Sequence, residues 1–479
     1  MRALVWYRSD LRTADNTALH HACRAADEGV VALFVISPGE WEAHDLAPCR
    51  VDFMLRTLQE LSAGLAALNI PLLIEEAALP GDVPGVVARA AARHGCGAVY
   101  ANREYEVNER RRDAAVSLLL AADGRAVHLF TDQIAIEPGE VRTGEGRFFT
   151  VFTPFKRAWI THLLETRGGV RVLPAPNKQN NTGCTPAQVP GFVPGFVSPI
   201  PAERWPAGER HAQQRLRAFI AERGRAYKQS RDFPGEPGTS QLSPYLAVGA
   251  ISPRQCFAAA AEANGDSPDP YRLGNEGLLC WISELIWREF YVHILAGFPR
   301  VCMNRPFQPR TERIRWSDNR DHLEAWKRGR TGVPIVDAAM QQLLTTGWMH
   351  NRLRMISAMF LTKNLFIDWR EGERFFMRHL VDGFFASNNG GWQWSASTGT
   401  DAAPYFRIFN PVSQSRRFDA SGTFIRGHIP ALAGLDDESI HAPWELSPLA
   451  RARLTYPEPL VDLSRSRAAA IEAFAAIRD

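Results

Sequence analysis

The sequence predicts two halves of different class: an α/β domain built on a doubly wound parallel sheet, then an all-α domain. Three observations carry this. Short apolar runs alternate with helical stretches over roughly the first 130 residues. The stretch from Pro174 to Pro206 is dense in Pro, Gly, Asn and Ser and keeps no period. Beyond it, apolar residues recur at helical spacing and strand-like runs are nearly absent. The expected organisation is an α/β domain over 1–130, a connector over 131–205 and a helical domain over 206–479.

In chain order, Ala3–Tyr7, Val30–Ile36, Pro71–Ile74, Ala98–Tyr100 and Ala126–Phe130 read as buried strands. Asp15–Asp27, Cys49–Leu68, Val83–His94 and Val107–Ala122 between them have helical periodicity. The turn after the first strand, Arg8-Ser9-Asp10-Leu11-Arg12, lacks the glycines that let backbone approach a dinucleotide pyrophosphate, so a standard NAD domain is not expected. In the second half the helical spacing covers Ala212–Arg223, Pro253–Ala263, Leu278–Leu295, Pro334–Thr345, Asn351–Asn364 and Gly372–Leu380.

Composition narrows the function classes. A chain of 479 residues favours two or three domains, and 45% hydrophobic with 22% charged residues is a globular balance. A net charge of +3 does not by itself announce a nucleic-acid partner, so DNA binding requires a local basic surface. Seven scattered cysteines without a C-x-x-C pair indicate neither a disulfide framework nor a zinc site, and no metal is expected. With no apolar leader and no run of membrane-spanning length, the chain reads as cytoplasmic.

The densest chemistry lies between Trp348 and Asn410. Trp348, Asn351, Arg352 and Met355 share one helical face, and Trp281, Glu284, Trp287 and Arg288 share another. Either face alone could be core tryptophan with surface ion pairs. Together, and followed by Asn388-Asn389-Gly390-Gly391-Trp392-Gln393-Trp394, they suggest a polar-aromatic pocket for a flat ligand. Gly238-Thr239-Ser240-Gln241-Leu242-Ser243 suits a phosphate cradle, although it is also an ordinary capping turn.

Taken with Val5-Trp6-Tyr7-Arg8-Ser9-Asp10-Leu11-Arg12, Val151-Phe152-Thr153-Pro154-Phe155, Glu284–Tyr291, Gly332–Met340 and Asp368–Glu373, these motifs run nearly end to end. The chain resembles the photolyase/cryptochrome flavoproteins, most closely the bacterial class I cyclobutane pyrimidine dimer photolyases. The resemblance implies FAD in the helical domain, held by Tyr227, Thr239, Ser240, Gln241, Leu242, Ser243, Trp281, Glu284, Arg288, Asn351, Arg354, Asp382 and Asn388. Arg354 and Asp382 look like the family's ion pair at the flavin ring, and Asn388 like the residue beside N5.

The implied reaction is light-driven electron donation from reduced FAD to a flipped-out dimer, with Glu284, Asn388 and Met355 as catalytic residues. Trp287 and Trp394 resemble the walls that receive the lesion, with Asn351 and Met355 against it. Arg231, Arg352 and Gln414 resemble the grip on flanking DNA. Trp392, Trp369 and Trp316 match the family's electron-hopping chain. Asn108, Glu109 and Cys302 match contacts to a 5,10-methenyltetrahydrofolate antenna. DNA carrying the dimers is the implied partner, and one lesion per chain is compatible with a monomer.

Two departures stand out. Phe384 replaces the second carboxylate of Asp-Gly-Asp, which removes one expected flavin contact, and Met303 replaces a lysine of a folate-binding relative. Asn388, Met355 and the short tail speak against a cryptochrome, and Met355 also against a (6-4) photoproduct enzyme. A dark flavin oxidoreductase would need a hydride-donor site for which there is no motif. A structural DNA-binding protein would be colourless.

Overall fold

A computed structural model describes residues 1–265, 267 and 269–477. By contact it divides into two compact units: residues 1–225, 240–302 and 381–383, and residues 226–239, 303–380 and 384–479.

The first unit contains the expected sheet. Strands β1 (Arg2–Tyr7), β2 (Val30–Ile36), β3 (Leu72–Glu76), β4 (Cys96–Asn102) and β5 (Ala126–Phe130) are all parallel, in the order β3-β2-β1-β4-β5. β2 is buried along its whole length, which is why it reads as unbroken Val, Leu, Phe and Ile rather than alternating. Helices Thr17–Ala25, Pro48–Ala67, Val83–Arg93 and Val107–Ala122 connect the strands. The 131–205 stretch holds one further helix, Phe152–Arg167, which ends on left-handed Gly168. The Pro-rich run after it has only the short turn Ala202–Arg204, because proline withholds the N–H that regular structure needs.

The opening motif fixes the ends of β1 and β4. Asn102 donates from Nδ2 to Asp10 Oδ2 (2.6 Å) and to Asn16 Oδ1 (2.9 Å), and Asn16 caps the Thr17–Ala25 helix by accepting from Leu19 N. Beside it, Arg12 pairs with Asp132 (2.5 Å), and Arg254 with both Asp132 (2.8 Å) and Asp15 (3.0 Å). Burial alone would raise the Asp132 carboxyl, but the two guanidiniums hold it well below the usual range. Ser252 also donates to Asp15, so residues 252–254 belong to this unit's core although the sequence pattern assigns them to the helical half.

The second unit is helical and packs around Trp326, Met340, Leu353, Leu361, Trp369 and Trp392. Two expected helices differ in detail. The Asn351–Asn364 stretch is helical to Met359 and then widens into a π-type turn over Phe360–Asn364. The Gly372–Leu380 helix begins earlier, at Trp369, because Asp368 caps it by accepting from Arg370 N. The π turn points Lys363 into the core. Its Nζ donates to Ala396 O (3.1 Å) and Ser397 Oγ (2.9 Å) and lies 3.5 Å from the centroid of Phe474. Burial drives its pKa far down, and its Nζ meets the carbonyl end of the Phe385–Ala396 helix. In the Gly332–Met340 motif, Asp337 accepts from Thr331 N and Oγ1 (2.7 Å each), Gly332 N (3.1 Å) and Tyr456 Oη (2.5 Å).

Candidate functional site

The expected residues fall in both units. In the first, the Glu276–Gly297 helix begins on Asn275, whose side chain accepts from Gly277 N and Leu278 N, and it buries Trp281, Leu285 and Phe290. Trp281 packs on Phe219 at 5.0 Å. Glu284 and Trp287 stay half-buried one turn apart. Phe152 stacks on Trp287, with ring centroids 3.7 Å apart and planes within 8°, so one face of this indole is already covered. That explains the Val151–Phe155 motif: Phe152 backs Trp287, while Phe155 packs on Phe290 and His293. Lys156, one turn beyond Phe152, is pushed down by burial while Cys280 and Glu284 pull it back up, which puts an ammonium near Glu284.

Arg288 donates to Gln133 O, and burial lowers it to about 10. Its neighbour Glu289 accepts from Ala135 N (2.8 Å), Ile136 N (3.4 Å) and Trp159 Nε1 (3.3 Å), and burial raises it to about 7. Arg288 and Glu289 thus tie the helix to the 133–136 backbone. In Ser240–Ser243, Gln241 takes a left-handed φ of 50° and accepts from Arg215, and Leu242 N donates to Ser240 Oγ. Asp382 is buried near Cys49 and Arg50, and Arg50 donates to the adjacent Gly383 O.

In the second unit, His350 begins the helix that carries Asn351, Arg352, Arg354 and Met355. Its imidazole accepts from Arg352 N, and burial lowers its pKa to about 4. Asn351 is exposed, with Nδ2 4.0 Å from Met355 Sδ. Arg352 pairs with Asp232 (2.8 Å) and lies over Phe418 (4.2 Å); Arg231 reaches the same carboxylate at 3.7 Å and lies over Tyr227 (5.7 Å). Arg354 donates from Nε to Met349 O (2.8 Å). Thr239 and Trp394 are half-buried. The Gln414 Oε1 is buried and, among the described residues, has no donor.

Asn388 is 8% exposed and donates to Glu373 O (3.0 Å). That bond uses one of the two amide N–H donors and orients the carboxamide, with Oδ1 on the other side of Cγ as an acceptor. Behind it, Asn389 donates to Glu373 Oε1, Gln393 donates to Asn389 Oδ1, and Gln393 Oε1 accepts from Phe307 N. Trp392 is buried between Phe376 (4.9 Å) and Trp326 (6.0 Å), and its Nε1 has no acceptor among the described residues. Trp369 is buried under Arg370. Half-buried Trp316 rests on Phe366 (5.1 Å) and Phe474 (6.1 Å). Phe384 itself is buried.

A separate carboxylate-rich cluster in the first unit gathers Asn108, Glu109 and Cys302, the expected antenna residues. Asn108 Nδ2 lies 3.2 Å from His44 Nε2, and His44 Nδ1 lies 3.3 Å from Glu109 Oε1. The other Glu109 oxygen is buried without a donor among the described residues. Burial first, then nearby carboxylates, raise Glu106 and Glu109 to about 7, and the same two acids help raise Cys302 to about 12. Glu40 is engaged by Arg112, which also pairs with Glu104 and Asp113. The sequence reading missed His44, Glu40 and Glu106. Only His44, one turn beyond Trp41 in the chain, offered a chemical hint.

The sheet reverses its winding between β1 and β4, the usual place for a nucleotide in such folds. Here Arg8 donates to Asn102 O and pairs with Asp113 (3.1 Å), and its guanidinium lies over Trp6 (4.1 Å). Burial would raise Glu104, but Arg112 and Arg8 pull it to about 2.

Comparison with known proteins gives a consistent neighbourhood. Residues 3–177 match the family model described as DNA photolyase, and residues 281–476 that described as the FAD binding domain of DNA photolyase. A deoxyribodipyrimidine photo-lyase of Salmonella typhimurium is 44% identical over 99% of this chain and 98% of its own. A bacterial class III photolyase from Agrobacterium tumefaciens superposes with a TM-score of 0.86 at 33% identity, covering 100% of this chain and 98% of that one. A Synechocystis cryptochrome also reaches 0.86, at 27% identity over 98% and 99%. Among the described residues, no helix is long and apolar enough to cross a membrane.

Proposed function

This chain belongs to the DNA photolyase family, and on that premise we propose that it splits cyclobutane pyrimidine dimers in DNA under blue light. Reduced FAD, when bound, supplies the photoexcited electron that opens the cyclobutane ring. The observation that carries this reading is the Asn388 amide. Its nitrogen is fixed on Glu373 O, so its oxygen is turned out as an acceptor, which fits the N–H that a reduced flavin bears at N5. An acid at that position could instead offer a proton.

The chain's own residues do the rest. Tyr227 and Thr239–Ser243 are proposed to meet the phosphates, and Trp281, Glu284, Arg288, Asn351, Arg354, Asp382 and Asn388 the remainder of the cofactor. Trp287, stiffened by Phe152, offers its uncovered face to a flipped-out pyrimidine dimer, and Trp394 offers a second flat surface. Glu284 and Asn351 reach polar edges of the lesion, Met355 gives a soft apolar contact, and Arg231, Arg352 and Gln414 hold flanking phosphates and sugar. Trp392, Trp369 and Trp316 are proposed to pass electrons inward when the flavin is oxidised. For that relay, Trp316→Phe should leave repair by chemically reduced enzyme intact and impair photoreduction; normal photoreduction in this variant would refute it.

The antenna cluster supports a folate reading. Arg112 pairs with Glu40, Glu104 and Asp113, and nearby Glu106 and Glu109, raised to about 7 by burial and by neighbouring carboxylates, leave the cluster rich in acidic groups. A cationic chromophore with N–H donors, such as 5,10-methenyltetrahydrofolate, suits such a site better than an anionic nucleotide. The protein is proposed to act as a monomer.

The test is direct. Reduced protein is mixed with oligothymidylate carrying cyclobutane dimers, and thymine absorbance is followed under blue light and in darkness. Recovery confined to light is expected. No recovery by a flavin-loaded, photoreducible protein would favour a light sensor on the same fold over a repair enzyme.

A further inference from the structure

We infer that Gly372 is a positioning residue of the proposed electron relay: by having no side chain it lets the Trp392 ring lie against the turn of helix that carries Trp369. The inference rests on the relay reading above. Gly372 sits inside the Trp369–Met377 helix, where glycine is among the poorest helix formers, and its φ is not in the left-handed range. Its backbone therefore gives no reason for glycine. Its surroundings do. A Cβ at 372 would fall inside the Cη2–Cζ3 edge of Trp392, with Leu361 Cδ2 only 2.7 Å away on another side.

The placement is specific. A helical side chain covers the surface over the turn before its own Cα, so the space left empty at 372 lies over the turn beginning at Trp369. Trp392 fills it with its six-membered ring, and Phe376, one turn further along the same helix, closes on that ring edge-to-face at 4.9 Å and 77°. Trp326 flanks it at 6.0 Å. Among the described residues the Trp392 N–H meets no acceptor, whereas Trp326 Nε1 donates to Ser357 O (3.2 Å). Were Trp392 to give one electron to a bound oxidised flavin, no group among the described residues would stand ready to take its proton. The deficit is made good by one electron from Trp369, then one from Trp316, and finally one from an added thiol.

The holoenzyme variant Gly372→Ala tests this. Light-driven flavin reduction with dithiothreitol should fall at least about tenfold, since a misplacement near 1 Å is costly in a positioned site. The near-ultraviolet dichroism of the indoles should change, while flavin content and repair by dithionite-reduced enzyme stay near wild type. Unchanged photoreduction, or photoreduction, flavin content and repair falling together, would overturn it. Trp392→Phe is the control for the relay: wild-type photoreduction there removes the relay reading, whereas a loss there without a loss in Gly372→Ala removes only this one. Should Gly372→Ala fail to fold, Gly372→Ala/Trp392→Phe decides. Recovered melting behaviour identifies the indole as what the new methyl displaced, and continued misfolding shows that Gly372 serves the helix instead.

Discussion

Asp232 sits within 4 Å of two guanidiniums, at 2.8 Å from Arg352 and 3.7 Å from Arg231, so the proposed DNA grip is half-neutralised at rest. Asp232→Asn should tighten binding to undamaged duplex and steepen the salt dependence of log K by about one; an unchanged slope in fluorescence anisotropy would place the grip elsewhere. Glu284 lies half-buried near Lys156, and Glu284→Ala should lower repair yield more than flavin content, while equal loss of both would make it a flavin ligand only. Glu109 gives a pH signature. Its folded pKa, about 7, lies above the ordinary carboxylate value, so the protonated form is favoured by folding. The associated stability is full below the unfolded pKa and is lost as pH rises through about 7. Melting temperature should fall between pH 5 and 8, and Glu109→Gln should flatten that fall by an amount of order 1 kcal/mol.

At the scale of elements, the Phe152–Trp287 stack joins helix Phe152–Arg167 to helix Glu276–Gly297. Phe152→Ala should cost about 3 kcal/mol of stability and weaken binding of dimer-containing DNA, whereas Phe152→Tyr keeps both; a variant that binds the lesion normally would show that Trp287 needs no backing. This element pair also shows what the sequence makes legible. The strands and helices of the sheet were readable because apolar periodicity is local: Val107–Ala122 and Val30–Ile36 have their expected bounds. The motifs around Phe152, Gly372 and Asp337 were visible as strings, but their reasons were not. Each reason is a partner far along the chain, such as Trp287 for Phe152 or Tyr456 for Asp337. The site residues were named through resemblance, while His44, Glu106 and Lys156 join their clusters without any pattern of their own.

On the scale of the whole molecule, contact and chain order disagree. The first unit recruits residues 240–302 and 381–383 across long sequence gaps, where the sequence pattern suggests a self-contained beginning over 1–130. Buried ions enforce this. Arg254 reaches back 239 residues to Asp15 and 122 residues to Asp132. A buried carboxylate without its partner is strongly destabilising, so the sheet is incomplete until that arginine arrives. The consequence belongs to protein synthesis. At about 5–20 residues added per second, the ribosome needs roughly 6–25 s to travel from Asp132 to Arg254. Throughout that interval the emerging sheet carries Asp15 with neither Ser252 nor Arg254 to hold it. A nascent chain halted before residue 252 should therefore remain protease-sensitive, and one extended past 254 far enough to leave the ribosome should close.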